Sequence, residues 1–541
     1  MKYLCLIWVL VLSLVLPTEA MAQAQQPYAL ISGLGTHHHS VSTQNPEAQQ
    51  FFDQGLNLIY AFNHDEAARS FKHAAELDPQ LAMAYWGIAL ALGPNINLDV
   101  DSDRELAAYQ AIQQAIALSN HASKPEQDYI NALAKRYSNN SHAYLYKLAV
   151  DYKNAMADLV KRYPQDLDAK TLYAESLMDL HPWQLWTKDG KPGENTEEIV
   201  SVLESVLKSD PNHPGANHYY IHAVEASLNP ERALASAKRL ETLVPGAGHL
   251  VHMPSHIYFR VGDYTAAMHS NALAIAQDET YISKNHIQGF YPASYYSHNV
   301  HFLAVAAAMA GKYEDAVQAA DKLVTMATPL VAEIPMVEGY LGTKLLIQVR
   351  LSDWDNILKS PAPDDKLVTT KALWYFAHGM ANAATGKLEN AISDRTALLN
   401  AQKTISVDAT IGMSPASSIL DIAINQLDGK IARAKQDYKS AIQYLETAVA
   451  QEDALNYMEP PDWYIPSREA LGGVLLATGD YATAEKVFRA DLQKYPLNGR
   501  SLFGLQASLQ ALNKTAEAQQ IQAQLATTWK NADIQLALEK L

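Results

Sequence analysis

The chain has 541 residues, 48% hydrophobic and 18% charged, with 42 Lys and Arg against 58 Asp and Glu for a formal charge of -16. This composition can bury a core and is not that of a disordered chain. Its acidic balance argues against nucleic-acid binding, which needs a basic stripe, gives no reason for adhesion to anionic lipid, and favours cations.

Residues 1–22 read as a signal peptide. Lys2 supplies a positive start, Leu4 to Leu16 form an apolar run, Pro17 breaks it, and Ala20-Met21-Ala22 offers a small-x-small cleavage site. The only cysteine, Cys5, lies inside this leader. The chain after cleavage therefore has no thiol, which excludes disulfides, cysteine nucleophiles, zinc ribbons and iron–sulfur clusters. A periplasmic or secreted location is expected, with no transmembrane span once the leader is removed. Residues 23–47 form a separate N-terminal segment carrying His37-His38-His39. This tract is either a solvated run or a further source of ligands that folds back on the body.

From residue 48 the chain repeats. Phe51, Gly55, Ala67, Phe71, Ala74 and Asp78-Pro79 occupy the small and aromatic positions of a 34-residue helix–turn–helix unit. On these positions the chain resembles the tetratricopeptide repeat (TPR) family. In the same frame further units start near Ala82, Leu133, Leu167, Pro214, Gly248, Ser297, Glu338, Ala372, Ile422, Ile465 and Gly499. Gly262-Asp263-Tyr264, Gly311-Lys312-Tyr313, Gly386-Lys387-Leu388 and Gly479-Asp480-Tyr481 punctuate the turns between paired helices. The resemblance implies an all-α, right-handed TPR superhelical solenoid of about a dozen helix pairs. We divide it into N-terminal repeats (48–211), central His-rich repeats (212–330) and C-terminal repeats (331–541).

Such a fold names no function, so function must come from a site. The chain has no phosphate-binding Gly-Lys-Ser/Thr loop, no Gly-x-Ser-x-Gly elbow and no His-Glu-x-x-His. Histidine is the unusual feature. In the first helix of a TPR, positions 2, 5, 9 and 12 form one stripe at helical spacing, which in the family lines the concave groove. His218, His222 and Glu225 take positions 5, 9 and 12 of one repeat, and His249, His252 and His256 take positions 2, 5 and 9 of the next. His298 and His301 follow at positions 2 and 5, and Glu175 holds position 9 one repeat earlier. With 19 His in the chain, chance would put roughly half a histidine on this stripe; it carries seven.

Imidazoles at i and i+4 reach one ion, and adjacent stacked helices bring matching positions to the same height. The expected metal ligands are His218, His222, Glu225, His252, His256, His298 and His301, with His222/His256 and His218/His252 as level pairs. Imidazole and carboxylate without thiolate suit a divalent transition metal, Zn or Cu first, then Fe or Ni. Pro254 suggests that a helix starts near Met253, which would leave His249 and His252 on the loop before it. The alternative for the same stripe is a polar groove that hydrogen-bonds a peptide.

His378, at a packing position, reads as structural. Trp86, at position 5 of the second repeat, and Gly93-Pro94-Asn95-Ile96-Asn97, which ends its helix, read either as groove lining or as a simple helix stop; His181-Pro182-Trp183 and Asp462-Trp463-Tyr464 either shape a pocket rim or cap helix ends. Arg500 either binds a carboxylate or is a surface charge. Gly35-Thr-His-His-His39, Phe52-Asp-Gln-Gly-Leu56, Ala84-Tyr-Trp-Gly87 and His252-Met-Pro-Ser-His256 resemble exported bacterial TPR proteins of uncharacterised function, which implies the fold and the location and carries no reaction. Two functions follow from the sequence. One is an exported solenoid with a His/Glu metal site in its groove, working as a metalloenzyme on a small molecule or simply holding the ion. The other is a non-catalytic scaffold for an envelope protein partner.

Overall fold

Among the described residues twelve helix pairs follow one another. The computed structural model describes residues 28–140 and 142–541; the signal-peptide reading of residues 1–22 lies outside them. The first five pairs are Pro46–Tyr60 with His64–Leu77, Ala82–Leu92 with Ser102–Ala117, Lys124–Leu133 with Leu145–Arg162, Leu167–Met178 with Thr196–Ser209, and Pro214–Val224 with Leu234–Leu243. In the sixth pair the first helix is split into Gly248–His252 and Pro254–Val261, followed by Tyr264–Asn285. Ser297–Met309 pairs with Tyr313–Ala327 and Thr343–Arg350 with Trp354–Lys359. The last four pairs are Val368–Ala384 with Leu388–Gln402, Ala416–Ala434 with Tyr438–Asp453, Ser467–Thr478 with Tyr481–Lys494, and Gly499–Ala511 with Thr515–Thr528. The fold is an all-α solenoid. Its one sheet among the described residues is the short hairpin of Thr410–Ile411 and Ser414–Pro415.

Local chemistry sets these boundaries. Asn45, Asp166, Asp263, Asp437 and Asp480 cap helix starts, each accepting a backbone N–H of the first turn. The turn glycines Gly262, Gly311, Gly386 and Gly479 all have positive φ, the conformation that ends the first helix of a pair and reverses the chain. Phe62, Ser352, Gln436 and Asn513 do the same without being glycine. The start expected at Leu133 is displaced: Leu133 ends the helix, which begins at Lys124 behind a Ser123/Glu126 capping box.

The solenoid curls until its ends meet its middle. In the N-terminal segment, the Gly33 carbonyl accepts the Gly246 amide at 2.8 Å, and the Ile31 amide donates to Gln54 Oε1 at 2.7 Å. On the other side Tyr264 donates to the Pro496 carbonyl at 2.9 Å, and Asp533 Oδ1 accepts the Tyr313 amide at 2.6 Å. One continuous apolar core runs from Leu34 to Tyr495. The consequence for function is direct: the face expected to be an open groove is an interior wall. Among the described residues no helix is long and apolar enough to cross a membrane.

Candidate metal centre

Three consecutive first helices bring the histidines to this wall. Pro214–Val224 carries His218 and His222, with Glu225 as its C-cap. The split sixth helix carries His249 and His252 before Pro254 and His256 after it. The proline does not turn the preceding residues into a loop. Met253 keeps helical angles (φ -53°, ψ -33°) and its amide still donates to the His249 carbonyl, so His252 and His256 remain one turn apart on one face. A single π-helical turn, Pro292–Tyr296, then leads into the helix that carries His298; such turns re-aim the side chains that follow them.

The imidazoles fall into two groups of three. In each of His252/His256/His298 and His218/His222/His249 the ligand atoms lie within 4.8 Å of one another. His252 Nε2 stands 2.8 Å from His256 Nε2 and 3.1 Å from His298 Nε2. His218 Nε2 stands 3.1 Å from His249 Nε2.

The outer nitrogens decide what those inner nitrogens can be. His218 Nδ1 donates to the Tyr60 carbonyl at 2.7 Å. His252 Nδ1 donates to Asn271 Oδ1 at 2.7 Å, and Asn271 is oriented by donating to the Ala267 carbonyl. Glu225 accepts from His222 Nδ1 at 2.7 Å through one oxygen and from His256 Nδ1 through the other. With Nδ1–H committed in this way, the Nε2 atoms of His218, His222, His252 and His256 carry lone pairs in the neutral imidazole. With both rings neutral the short His252–His256 approach sets two lone pairs face to face, which a metal ion or a shared proton between them would relieve. His222 Nε2 is buried and has no protein partner.

Burial favours the neutral ligand form. His218, His249, His252 and His298 are all held well below the usual imidazole range, first by burial and then by neighbouring imidazoles. His222 is lowered by burial too, with Glu225 opposing. Burial raises the Glu225 carboxyl, but His256 and His222 outweigh it and keep the group ionised. Arg260 fixes the chain around Glu225 by donating to the Glu225 and Ser227 carbonyls at 2.9 and 3.0 Å.

Three sequence expectations change here. His301 joins neither group; one turn beyond His298, its ring lies between Tyr340 and Tyr464 at 5.4 and 5.6 Å. His249 takes the place expected for His252 beside His218, because position 2 of the sixth repeat, not position 5, meets position 5 of the fifth. Glu175 also goes elsewhere, to the buried Arg136 and Asp179.

Beside the histidines lies a cavity of about 380 Å³. His222, His249, His256 and His298 form one wall, and His301, Trp183 and Tyr464 are also on its surface. The loop that follows Tyr438–Asp453 closes the far side through Met458, Glu459 and Asp462. Neither this loop nor the small hairpin at 410–415 has a repeat signature, so sequence periodicity could not assign them to the site.

The His37–His39 tract is not a solvated run. His37 Nε2 and His39 Nδ1 donate to the two oxygens of Asp168 at 2.9 and 2.8 Å. His213 lies 3.2 Å from Asp168 Oδ1, and the Tyr60 hydroxyl donates to the same oxygen at 2.5 Å. These hydrogen bonds hold the Asp168 carboxyl well below its usual range against the effect of burial. The cluster pins the N-terminal segment, and within it the ligand atoms of His37, Asp168 and His213, and those of His39, Asp166 and Asp168, lie within 4.8 Å of one another. Trp86 packs with Phe52 and Tyr129; His378 stacks on Trp374 at 3.9 Å. Arg500 pairs at 2.5 Å with the buried Glu469, so the carboxylate it binds is internal.

No protein-family model matches the sequence, and no curated protein matches it. Among solved structures it is similar to human IFIT1, seen as a dimer with PPP-AAAA, at 14% identity and a TM-score of 0.33, over 90% of this chain and 92% of that one. It is similar to yeast Tom70 at 13% identity and a TM-score of 0.30, over 90% and 93% of the two chains. The TPR domain of P58(IPK) follows at 11% identity and a TM-score of 0.21, over 86% of this chain and 99% of that one. Likenesses this distant bear on neither ligand nor reaction.

Proposed function

We propose that the protein is a metal-binding helical-repeat protein in which two three-imidazole centres hold two transition-metal ions, with Zn and Cu as the best-suited metals. The supporting observation is the 2.8 Å approach of His252 Nε2 to His256 Nε2, with both opposite nitrogens committed as donors. Glu225 acts as the outer partner of one imidazole from each centre, the role that orients ligating histidines and raises their basicity. Three protein ligands leave a coordination position free, and a cavity adjoins it; this combination favours work on a small molecule over storage. A peptide-binding groove is less well supported, since His218, His252 and His256 are at most 2% exposed.

Elemental analysis of protein isolated from its native compartment tests the reading, with about two ions per chain expected. His222→Ala with His256→Ala removes one ligand from each centre. The double variant should lose most of the metal while its helical circular dichroism stays near wild type. Full metal occupancy in that variant would refute the two-centre site. We further propose export, on the strength of the leader; a processed chain starting near Gln23 in a non-cytoplasmic fraction is the expected result, and an uncleaved native chain in cytosol is the contrary one.

A further inference from the structure

The cavity wall facing the histidines has its own chemistry. Trp183, Phe290, Tyr340 and Tyr464 surround the space with aromatic faces, and Met336 and Met458 add thioethers. No Lys or Arg lines it, whereas Asp99, Glu459 and Asp462 do. In the metal-free chain an anionic ligand would therefore meet carboxylates with no compensating charge. Asp462 is already engaged: its oxygens accept the Ser414 hydroxyl at 2.7 Å and the Met413 amide at 3.3 Å.

Glu459 is different. It is 4% exposed, and its Oε1 accepts the Tyr457 hydroxyl at 3.0 Å. Its Oε2 is buried without any partner in the protein. Arg260 opposes the effect of burial on this carboxyl without bonding to it, since that guanidinium donates to the Glu225 and Ser227 carbonyls and lies over the Tyr457 ring. A buried polar atom left alone is costly, so a ligand that supplies its missing partner binds the more tightly for it.

We propose that this cavity binds an uncharged aromatic alcohol, a phenol or naphthol, with its ring among the aromatic side chains and its hydroxyl hydrogen-bonded to Glu459. Burial pushes the Glu459 carboxyl up from its usual range toward its protonated form. A hydroxyl serves either state, donating to the carboxylate or accepting from the acid. An ammonium serves only the carboxylate and a ligand carboxylate only the acid. The proposal deepens the metal reading, because the same cavity borders the histidine centres, but binding of the alcohol does not itself require the ions.

Calorimetric titration of the full chain with 2-naphthol, naphthalene, 2-naphthoate and (2-naphthyl)methylammonium tests it, with selectivity read on the chelated chain and the titration repeated on the chain as isolated. 2-Naphthol should bind at least tenfold more tightly than the other three. Glu459→Leu keeps the volume and removes the hydrogen-bonding group. It should erase the advantage of 2-naphthol over naphthalene and leave metal content unchanged. Met336→Trp, at a lining residue that is 57% exposed, fills the space from its solvent side and should weaken both probes at least tenfold. The proposal is overturned if naphthoate or the ammonium binds as tightly as naphthol, or if Glu459→Leu leaves the naphthol-to-naphthalene ratio as it was. Selective naphthol binding to a chain that holds no metal as isolated and takes up none would sink the metal reading alone; a metal-loaded chain that ignores naphthol, before and after chelation, would sink this one alone.

Discussion

Phe62 sits at φ 55°, a left-handed conformation that costs a non-glycine residue roughly 1–2 kcal/mol. Its ring explains the choice. It packs 4.6 Å from His218, 5.6 Å from His249 and 5.9 Å from His222, shielding that imidazole group from water. Phe62→Gly would relieve the strain and lose the buried ring, and the second effect is larger: Phe→Ala in a core costs about 3–5 kcal/mol. We expect a net loss of about 2 kcal/mol in chemical denaturation together with weaker metal retention; a more stable variant would show that the ring contributes no packing. His64, two residues on, gives a pH prediction. Burial first, then Arg104 and Arg136, lower its pKa from the usual 6.5 to about 4. Between those values the unfolded chain takes up a proton that the folded chain refuses, so stability must fall as pH drops from 6.5 toward 4. His64→Gln should remove roughly 2 kcal/mol of the loss that wild type shows between pH 7 and pH 5. An unchanged pH slope in the variant would refute the assignment.

At the scale of the element, the turns between paired helices separate backbone strain from packing. Gly386 has φ 78° and only open space where a Cβ would lie, whereas at Gly311, with φ 72°, a Cβ would lie 2.4 Å from the Trp529 ring. Gly386→Ala should therefore cost only the strain, about 1 kcal/mol. Gly311→Ala should cost clearly more, because Trp529 must also move. Equal losses of melting temperature in the two variants would mean that Trp529 is free to yield. The split sixth helix makes a related point. Pro254 removes one backbone donor, yet Met253 stays helical and the i, i+4 spacing of His252 and His256 survives.

For the whole molecule, curling decides both stability and access. A solenoid is held by neighbouring repeats, but here Trp529 adds a contact between the last helix pair and the turn of the seventh. Trp529→Ala should lower stability by roughly 2 kcal/mol without changing helix content or metal content, since the histidine wall lies in the fifth to seventh pairs. Metal removal should act differently. Ions that bridge three repeats bind the folded chain and largely not the unfolded one, so chelation should lower the melting temperature while the helices persist. Complete unfolding on chelation would mean that the ions, not the repeat interfaces, hold the fold.

The sequence by itself determined the helix pairs, because their 34-residue spacing, caps and turn glycines are local signals. It also placed the seven expected ligand residues on one stripe, because positions 2, 5, 9 and 12 of a first helix follow the helical period. Tertiary structure decided the rest. Which imidazole meets which depends on the rotation between successive repeats, and so His249 joined His218 while His301 turned toward Tyr340. The fate of His37 and His39 depended on a segment folding back onto Asp168, over 120 residues away in sequence. Glu459 reached the cavity on a loop outside any repeat, brought there by the closure of the superhelix; a contact of that kind leaves no periodic trace.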